Sequence, residues 1–338
     1  MKMRYLHIAF AVAMAAVAFV ALKPGDPFEQ ILSDWGAAEN AYMAALGRAK
    51  TADARRRIEA ELKPQPALYA ARLVDLAEAR PDDRGALTGL CWAVVNAPET
   101  DAGRRALALL KDDRIARADP RALGDALERT RTSMPMRPSS LAPLVLARAS
   151  RCFGDPRAAR LLTWVCVNDF GSDRPEESPT FAEAADMLTD QFADSPDISN
   201  FCEVLGSVNG SPTWGGKYEN HLRLILEMNR TRLVRCTASY AMASIVQVTG
   251  EMRQEEAAHL YEQFIQNFDA SDPAIVHVER SLIASARSQI AIIHSRRLGG
   301  GASRRDGRSG PPTVDGVAEA QEDLTSTHPR YALRAGPG

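Results

Sequence analysis

No two cysteines in this 338-residue chain stand three positions apart. The five (Cys91, Cys152, Cys166, Cys202 and Cys236) are scattered. Thiol–disulfide exchange and zinc ribbons both need close pairs, so neither is expected. Strand signals are also lacking. Val, Ile and Thr do not alternate over four to eight residues, and the one Asn-Gly, Asn209-Gly210, lies in a Pro/Gly/Ser stretch and not between two strands. The chain has no G-x-S-x-G, H-E-x-x-H or Walker loop, and no G-x-G-x-x-G opening a strand–helix unit. Lysine is scarce, six against thirty-five arginines, and net charge is only −2. No global field favours nucleic acid or an acidic membrane. The arginine and alanine excess reads as a GC-rich genome and not as an Arg-specific binding function.

Convergent metal ligands are missing as well. The six histidines are dispersed, and Glu255/His259 is the only carboxylate–histidine pair at i,i+4 spacing in the body. A metal site needs three or four ligands, so this pair reads as a solvated helix face. Glu176-Glu177 and Glu255-Glu256 are sequence neighbours that point in different directions on a helix, and read as surface charge. No catalytic residue, cofactor or metal is expected.

What is present begins with an apolar segment. Lys2 and Arg4 precede Tyr5 to Leu22, a run without a charge, closed by Lys23-Pro24-Gly25. Ala16-Val17-Ala18 offers a small-x-small cleavage site, with Ala16 and Ala18 as its determinants. The alternative is an uncleaved single anchor formed by residues 5–22, since about 20 apolar residues span a bilayer. A buried helix of the mature protein is a third reading. No Cys follows the run, which excludes lipid attachment there. The expected location is extracytoplasmic: periplasmic, or anchored in the cytoplasmic membrane.

The body reads as helix throughout. Asp26-Pro27-Phe28-Glu29 supplies an N-cap, a Pro at the first helical position and an early Glu. Phe28, Ile31, Leu32, Trp35, Tyr42 and Leu46 then form one stripe at three- and four-residue spacing. Helix pairs follow, separated by Lys63-Pro64-Gln65-Pro66, Arg80-Pro81-Asp82-Asp83 and Met134-Pro135-Met136-Arg137-Pro138. The pattern then repeats. Setting Trp92 on Trp164 matches six of the fourteen positions 83–96, including Asp83/Asp155, Leu90/Leu162 and Asn96/Asn168. Farther on, Leu110/Leu188, Asp112/Asp190 and Leu127/Leu205 match. A period of about 75 residues, two helical hairpins, signals a solenoid. Trp92 and Trp164 are expected in its core.

Four regions are expected: residues 1–22, signal or anchor; 26–205, helical repeats with the duplication; 218–298, further repeats; and 299–338, a disordered tail. Glu256 to Phe264 has the look of a tetratricopeptide helix. The tail carries Gly299-Gly300-Gly301, Gly310-Pro311-Pro312 and, with the helix before it, a solvated arginine cluster at 296, 297, 304, 305 and 308. Between the repeat regions, Gly206 to Lys217 reads as a linker holding Trp214, an aromatic that either anchors a ligand or, as is more common, folds back onto the adjoining helices. Asn209-Gly-Ser and Asn229-Arg-Thr match glycosylation acceptors. Export would permit a disulfide, and Cys152 and Cys166 are spaced to link neighbouring helices across Gly154. The default for all five cysteines is a buried small hydrophobe.

Three segments carry a resemblance: Ala49-Lys50-Thr51-Ala52-Asp53-Ala54-Arg55-Arg56, Tyr69 through Asp83, and Cys91-Trp92-Ala93-Val94-Val95-Asn96. Together with Leu222 to Asn229 and on through Arg235 and Tyr240-Ala241, they resemble the helical forepart of exported bacterial redoxin-domain proteins. The likeness covers roughly 28–298, in diffuse helix-packing patterns. In those relatives a thioredoxin-like domain follows. Here the Gly/Arg tail stands in that place, so the redoxin's catalytic residues have no positions to fall on. The resemblance implies a helical, extracytoplasmic module that docks protein partners. The expectation is a non-enzymatic helical-repeat protein of the cell envelope that binds proteins, not nucleic acid. The alternatives are an accessory to a separate redoxin, using one free thiol, and a purely structural envelope protein.

Overall fold

The computed structural model describes residues 26–130, 140–169, 178–206, 212–268, 272–273 and 275–302. The expected signal with Ala16 and Ala18, the break at 134–138, Asn209 and the chain beyond 302 lie outside the described residues. Every regular element among the described residues is helical. The chain is all-α, as its periodicity predicts. It divides into two compact units, Met1–Ser172 and Asp173–Gly338.

In the first unit α1 (Pro27–Arg48) starts as the sequence predicts: the Asp26 carboxylate accepts from the Phe28 amide at 2.9 Å. Phe28 is fully buried in a notch on α4 (Arg84–Asn96) made by Gly85 and Gly89. A Cβ at position 85 would lie 2.5 Å from the Phe28 ring, so no larger residue fits while Phe28 is docked. Trp35 follows, edge-on to Trp92 of α4 (ring centroids 5.1 Å apart) and to Tyr69 of α3 (Pro66–Ala79; 5.2 Å). Beyond Trp35 no residue of α1 is buried, and α2 (Ala52–Leu62) buries none at all.

The rest of the unit is built on two central helices, α4 and α8 (Ala158–Asp169). The two helices begin and end with matching hydrogen bonds. Before α4 the Asp83 amide donates to Arg80 O and the Ala86 amide to Asp83 O; before α8 Asp155 donates to Cys152 O and Ala158 to Asp155 O. At their ends, Asn96 Nδ2 donates to Trp92 O at 3.0 Å and Asn168 Nδ2 to Trp164 O at 2.9 Å. Both tryptophans are buried, as expected. Between them run α5 (Asp101–Leu109), α6 (Pro120–Glu128) and α7 (Ala142–Ser150). A π-helical turn, Leu110–Arg114, prolongs α5. Gly154, at φ +76°, turns the chain from α7 into α8, a conformation that favours glycine.

The second unit holds α9 (Pro179–Phe192), α10 (Ser199–Gly206), α11 (Pro212–Met228), α12 (Arg232–Val248), α13 (Gln254–Asn267) and α14 (Val276–Ala302). α12 is its central helix, packed by α10, α11, α13 and α14. Two boundaries differ from the sequence reading. The expected linker is helical from Pro212, because a Pro at the first helical position lacks only an amide that would go unused. The last helix runs on through Gly299-Gly300-Gly301 to Ala302, although each Gly costs a helix about 1 kcal/mol.

Across each unit, ion pairs join alternate helices. Arg72 of α3 reaches Asp34 of α1 (3.2 Å), Arg105 of α5 reaches Asp75 (3.0 Å) and Glu78 of α3, and Arg160 of α8 reaches Asp125 of α6 (3.3 Å). In the second unit Lys217 of α11 meets Asp186 of α9 (3.0 Å), and Arg253 before α13 meets Glu219 of α11 (2.7 Å). Such exposed pairs add at most about 1 kcal/mol each, so they mark which helices are neighbours and do not hold them together.

Candidate functional site

Trp214 lies in the first turn of α11 and not in a loop. The next turns of that helix carry a polar group. Lys217 Nζ lies 3.0 and 3.1 Å from the two oxygens of Asp186, and His221 Nε2 lies 2.9 Å from Asp186 Oδ1. His221 Nδ1 faces Lys217 O at 3.0 Å. The imidazole is nearly enclosed (12% exposed) and stacks at an angle on Tyr218, 5.2 Å between ring centres. Tyr218 in turn packs edge-on against Phe181 of α9. An aspartate orienting a histidine suggests general-base chemistry, but a base needs a free ring nitrogen facing a substrate. Both nitrogens here are taken by protein oxygens. The group braces α9 against α11.

Between Lys217 and His221 on the same helix, Glu219 accepts from Arg253, which also pairs with Glu256 at 2.7 Å. Glu219 pairs with Arg223 as well. Hydrogen bonding from Arg253 holds the Glu219 and Glu256 carboxyls below their ordinary 4.5. This network clasps α11 to α13.

A groove of about 400 Å³ opens between α13 and α14. Glu251, Glu255, Glu262, His259, His294 and Arg296 line it, an acidic rim with one guanidinium. Gln254 Oε1 is buried there without a hydrogen-bond partner. His259 is exposed, with Glu262 at 4.0 Å and Gln263 at 2.9 Å. Among the described residues no group of three or more His, Cys, Asp or Glu is placed to hold a metal ion.

The cysteines are unbridged, so the Cys152–Cys166 link that the spacing permits is not formed. Cys152 sits just past the end of α7 and Cys166 deep on the buried face of α8. Cys91, Cys166, Cys202 and Cys236 are buried, and burial pushes the thiols of Cys91, Cys202 and Cys236 up to about 12. They are packing groups and not nucleophiles. Cys152 alone is partly exposed, with Arg148 Nη1 2.8 Å from its sulfur.

Asn229 matches an acceptor triplet but is used inside the fold. It is fully buried; Nδ2 donates to Ala193 O and to Ser195 O, each at 2.8 Å, and Oδ1 accepts from the Thr231 amide at 2.9 Å. Its amide is committed to closing the α11–α12 turn on the end of α9, leaving no nitrogen for a glycan. An N-x-T triplet in a two-helix turn carries no signal separating these uses. A second buried polar group that the sequence reading missed is Glu279 of α14. It is fully enclosed and takes a hydrogen bond from Arg232 Nε at 2.8 Å.

No helix among the described residues is long and apolar enough to cross a membrane. Compared with protein-family models, curated proteins and solved structures, the chain matches none.

Proposed function

We propose that this chain is a non-enzymatic helical-repeat protein of the cell envelope that binds protein partners. In this reading its hairpins stack within each unit as a tetratricopeptide-like solenoid, and residues 5–22 export it or hold it at the membrane. The observation that carries the reading is the linkage of alternate helices: α1 to α3, α3 to α5, α6 to α8, α9 to α11 and α11 to α13. Stacked hairpins bring every second helix side by side, and such stacks leave a helix face free for a partner. The acidic α13–α14 groove supplies one such face, suited by charge to a basic segment of a partner. The test is capture of proteins from an envelope extract on the tagged full chain. One defined partner, lost when Glu255 and Glu262 are both changed to Lys, supports the reading. Capture of nothing above a tag-only control counts against it.

One observation favours the second reading, an accessory to a separate redoxin. Cys152 is the single partly exposed thiol, and the Arg148 guanidinium stands 2.8 Å from its sulfur. Mass mapping after a short alkylation pulse on the native protein should label Cys152 at least about tenfold faster than the buried four. Equal, slow labelling of all five removes the accessory reading.

A further inference from the structure

The arm formed by the second half of α1 and by α2 is helical without a core. No residue from Gly36 to Gln65 is buried. Met43 is 52% exposed and Leu62 50%. α2 is eleven residues long and packs on α1. Helices shorter than about 12–15 residues are marginal in water without tertiary support. The apolar register nevertheless continues into the arm. Phe28, Ile31 and Trp35 are followed by Ala38, Tyr42, Ala45 and Ala49 at the same alternating spacing of three and four. Ala54, Ile58 and Leu62 form a stripe on α2. Between the two helices lies an open groove of about 460 Å³ whose apolar walls are Ala45, Ala49, Ala54 and Ile58.

The charges of α2 say what covers this surface. Asp53 is paired with Arg56 within the helix. Arg55, Arg57, Glu59 and Glu61 have no ion-pair partner among the described residues. At about 100° per residue, Arg55 and Glu59 flank one side of the Ala54–Ile58–Leu62 stripe, and Arg57 and Glu61 flank the other. A two-fold axis beside Ile58 keeps each flank on its own side and reverses its direction. Arg55 then meets Glu59 of a second copy, and Arg57 meets its Glu61. Each pair is offset by only about 3 Å along the helix at 1.5 Å rise per residue. A parallel arrangement would instead set Arg55 against Arg57 and Glu59 against Glu61, like against like.

We infer that the α1–α2 arm is a homodimer interface, in which α2 of one copy lies antiparallel to α2 of another about Ile58 and closes the open groove. The contact is isologous, as two-fold symmetry requires, and two hairpins so joined make a four-helix bundle, the smallest unit in which these stripes are enclosed.

The test is sedimentation equilibrium of the purified full chain in mild detergent, with four-site charge variants. The wild type is expected to dimerise. Arg55→Glu with Arg57→Glu makes the four flanking positions acidic and should weaken dimerisation by at least about tenfold, as should Glu59→Arg with Glu61→Arg. Mixing these two variants should restore a one-to-one dimer, and combining all four substitutions in one chain should restore the homodimer. Circular dichroism of each variant shows whether the arm stays helical. A wild type that is monomeric at all concentrations overturns the inference. So does a dimer indifferent to both charge variants, or a monomer that instead binds vesicles rich in phosphatidylglycerol through the arginines of α2.

Discussion

The two halves of α1 share one helix and one apolar register but have opposite fates. Its first turns carry Phe28, Ile31 and Trp35 into the core of the first unit, where a glycine notch and two aromatic rings receive them. Its last turns carry Tyr42, Ala45 and Leu46 past the end of that core, and none is buried. Periodicity reports that a helix has an apolar side. It does not report whether anything stands opposite, which depends on where the neighbouring helices stop.

The contrast can be broken most severely at the base. Phe28→Ala should cost about 3–5 kcal/mol, because it empties a notch whose glycine walls cannot refill it; denaturant unfolding followed by Trp fluorescence measures the loss. A cost under 1 kcal/mol would mean that α1 is docked by Trp35 alone. Asn229→Ala asks whether a polar group can anchor as firmly as an aromatic ring. It leaves two buried carbonyls and an amide without their partners, and the second unit should lose about 2–3 kcal/mol by the same measurement.

A smaller effect should come from acid. Glu219 and Glu256 have folded pKa values below 4.5, so the stability they lend is complete above that pH. It is lost as pH falls below 4.5 through their folded values. Glu256 is exposed and Glu219 lies at the edge of the packed helices, so the loss is modest. Arg253→Gln should reduce this part of the pH dependence in unfolding curves between neutral pH and pH 3, leaving the share that Arg223 lends Glu219. The least effect belongs to the arm: Leu62→Ser should change monomer stability by no more than about 0.5 kcal/mol, seen at a protein concentration too low for association. A larger loss would show that α2 already has a cover within its own chain.

Much of this was legible in the residues. The N-cap, Pro and stripe of α1, the helix pairs and the Trp92/Trp164 duplication rest on local spacing, which one sequence displays in full. The alternate-helix ion pairs were not legible, since Arg105 reaches back to Asp75 and Glu78 across an intervening helix. Trp214 was misplaced because Ser-Pro and Gly-Gly are loop punctuation by composition, whereas Pro212 stands where a helix tolerates proline. The role of Asn229 was not legible, because a triplet states what an exposed amide can accept and nothing of its exposure. The candidate site was legible only as separate parts: Lys217 and His221 share a helix, but Asp186, which joins them, comes from α9.

The seating of Phe28 also bears on the order of events during synthesis. The chain emerges with its N-terminus first, and the Gly85/Gly89 notch does not exist until α4 has been made. Arg129, which grips Glu29 beside that notch, comes one hundred residues after its partner. Until then α1 has nothing to hold it, and its whole apolar stripe is open to whatever lies near the emerging chain. The contacts of α1 thus wait for residues made far later than their partners, and the time between making α1 and mooring it is the interval in which a nascent chain could capture the wrong neighbour.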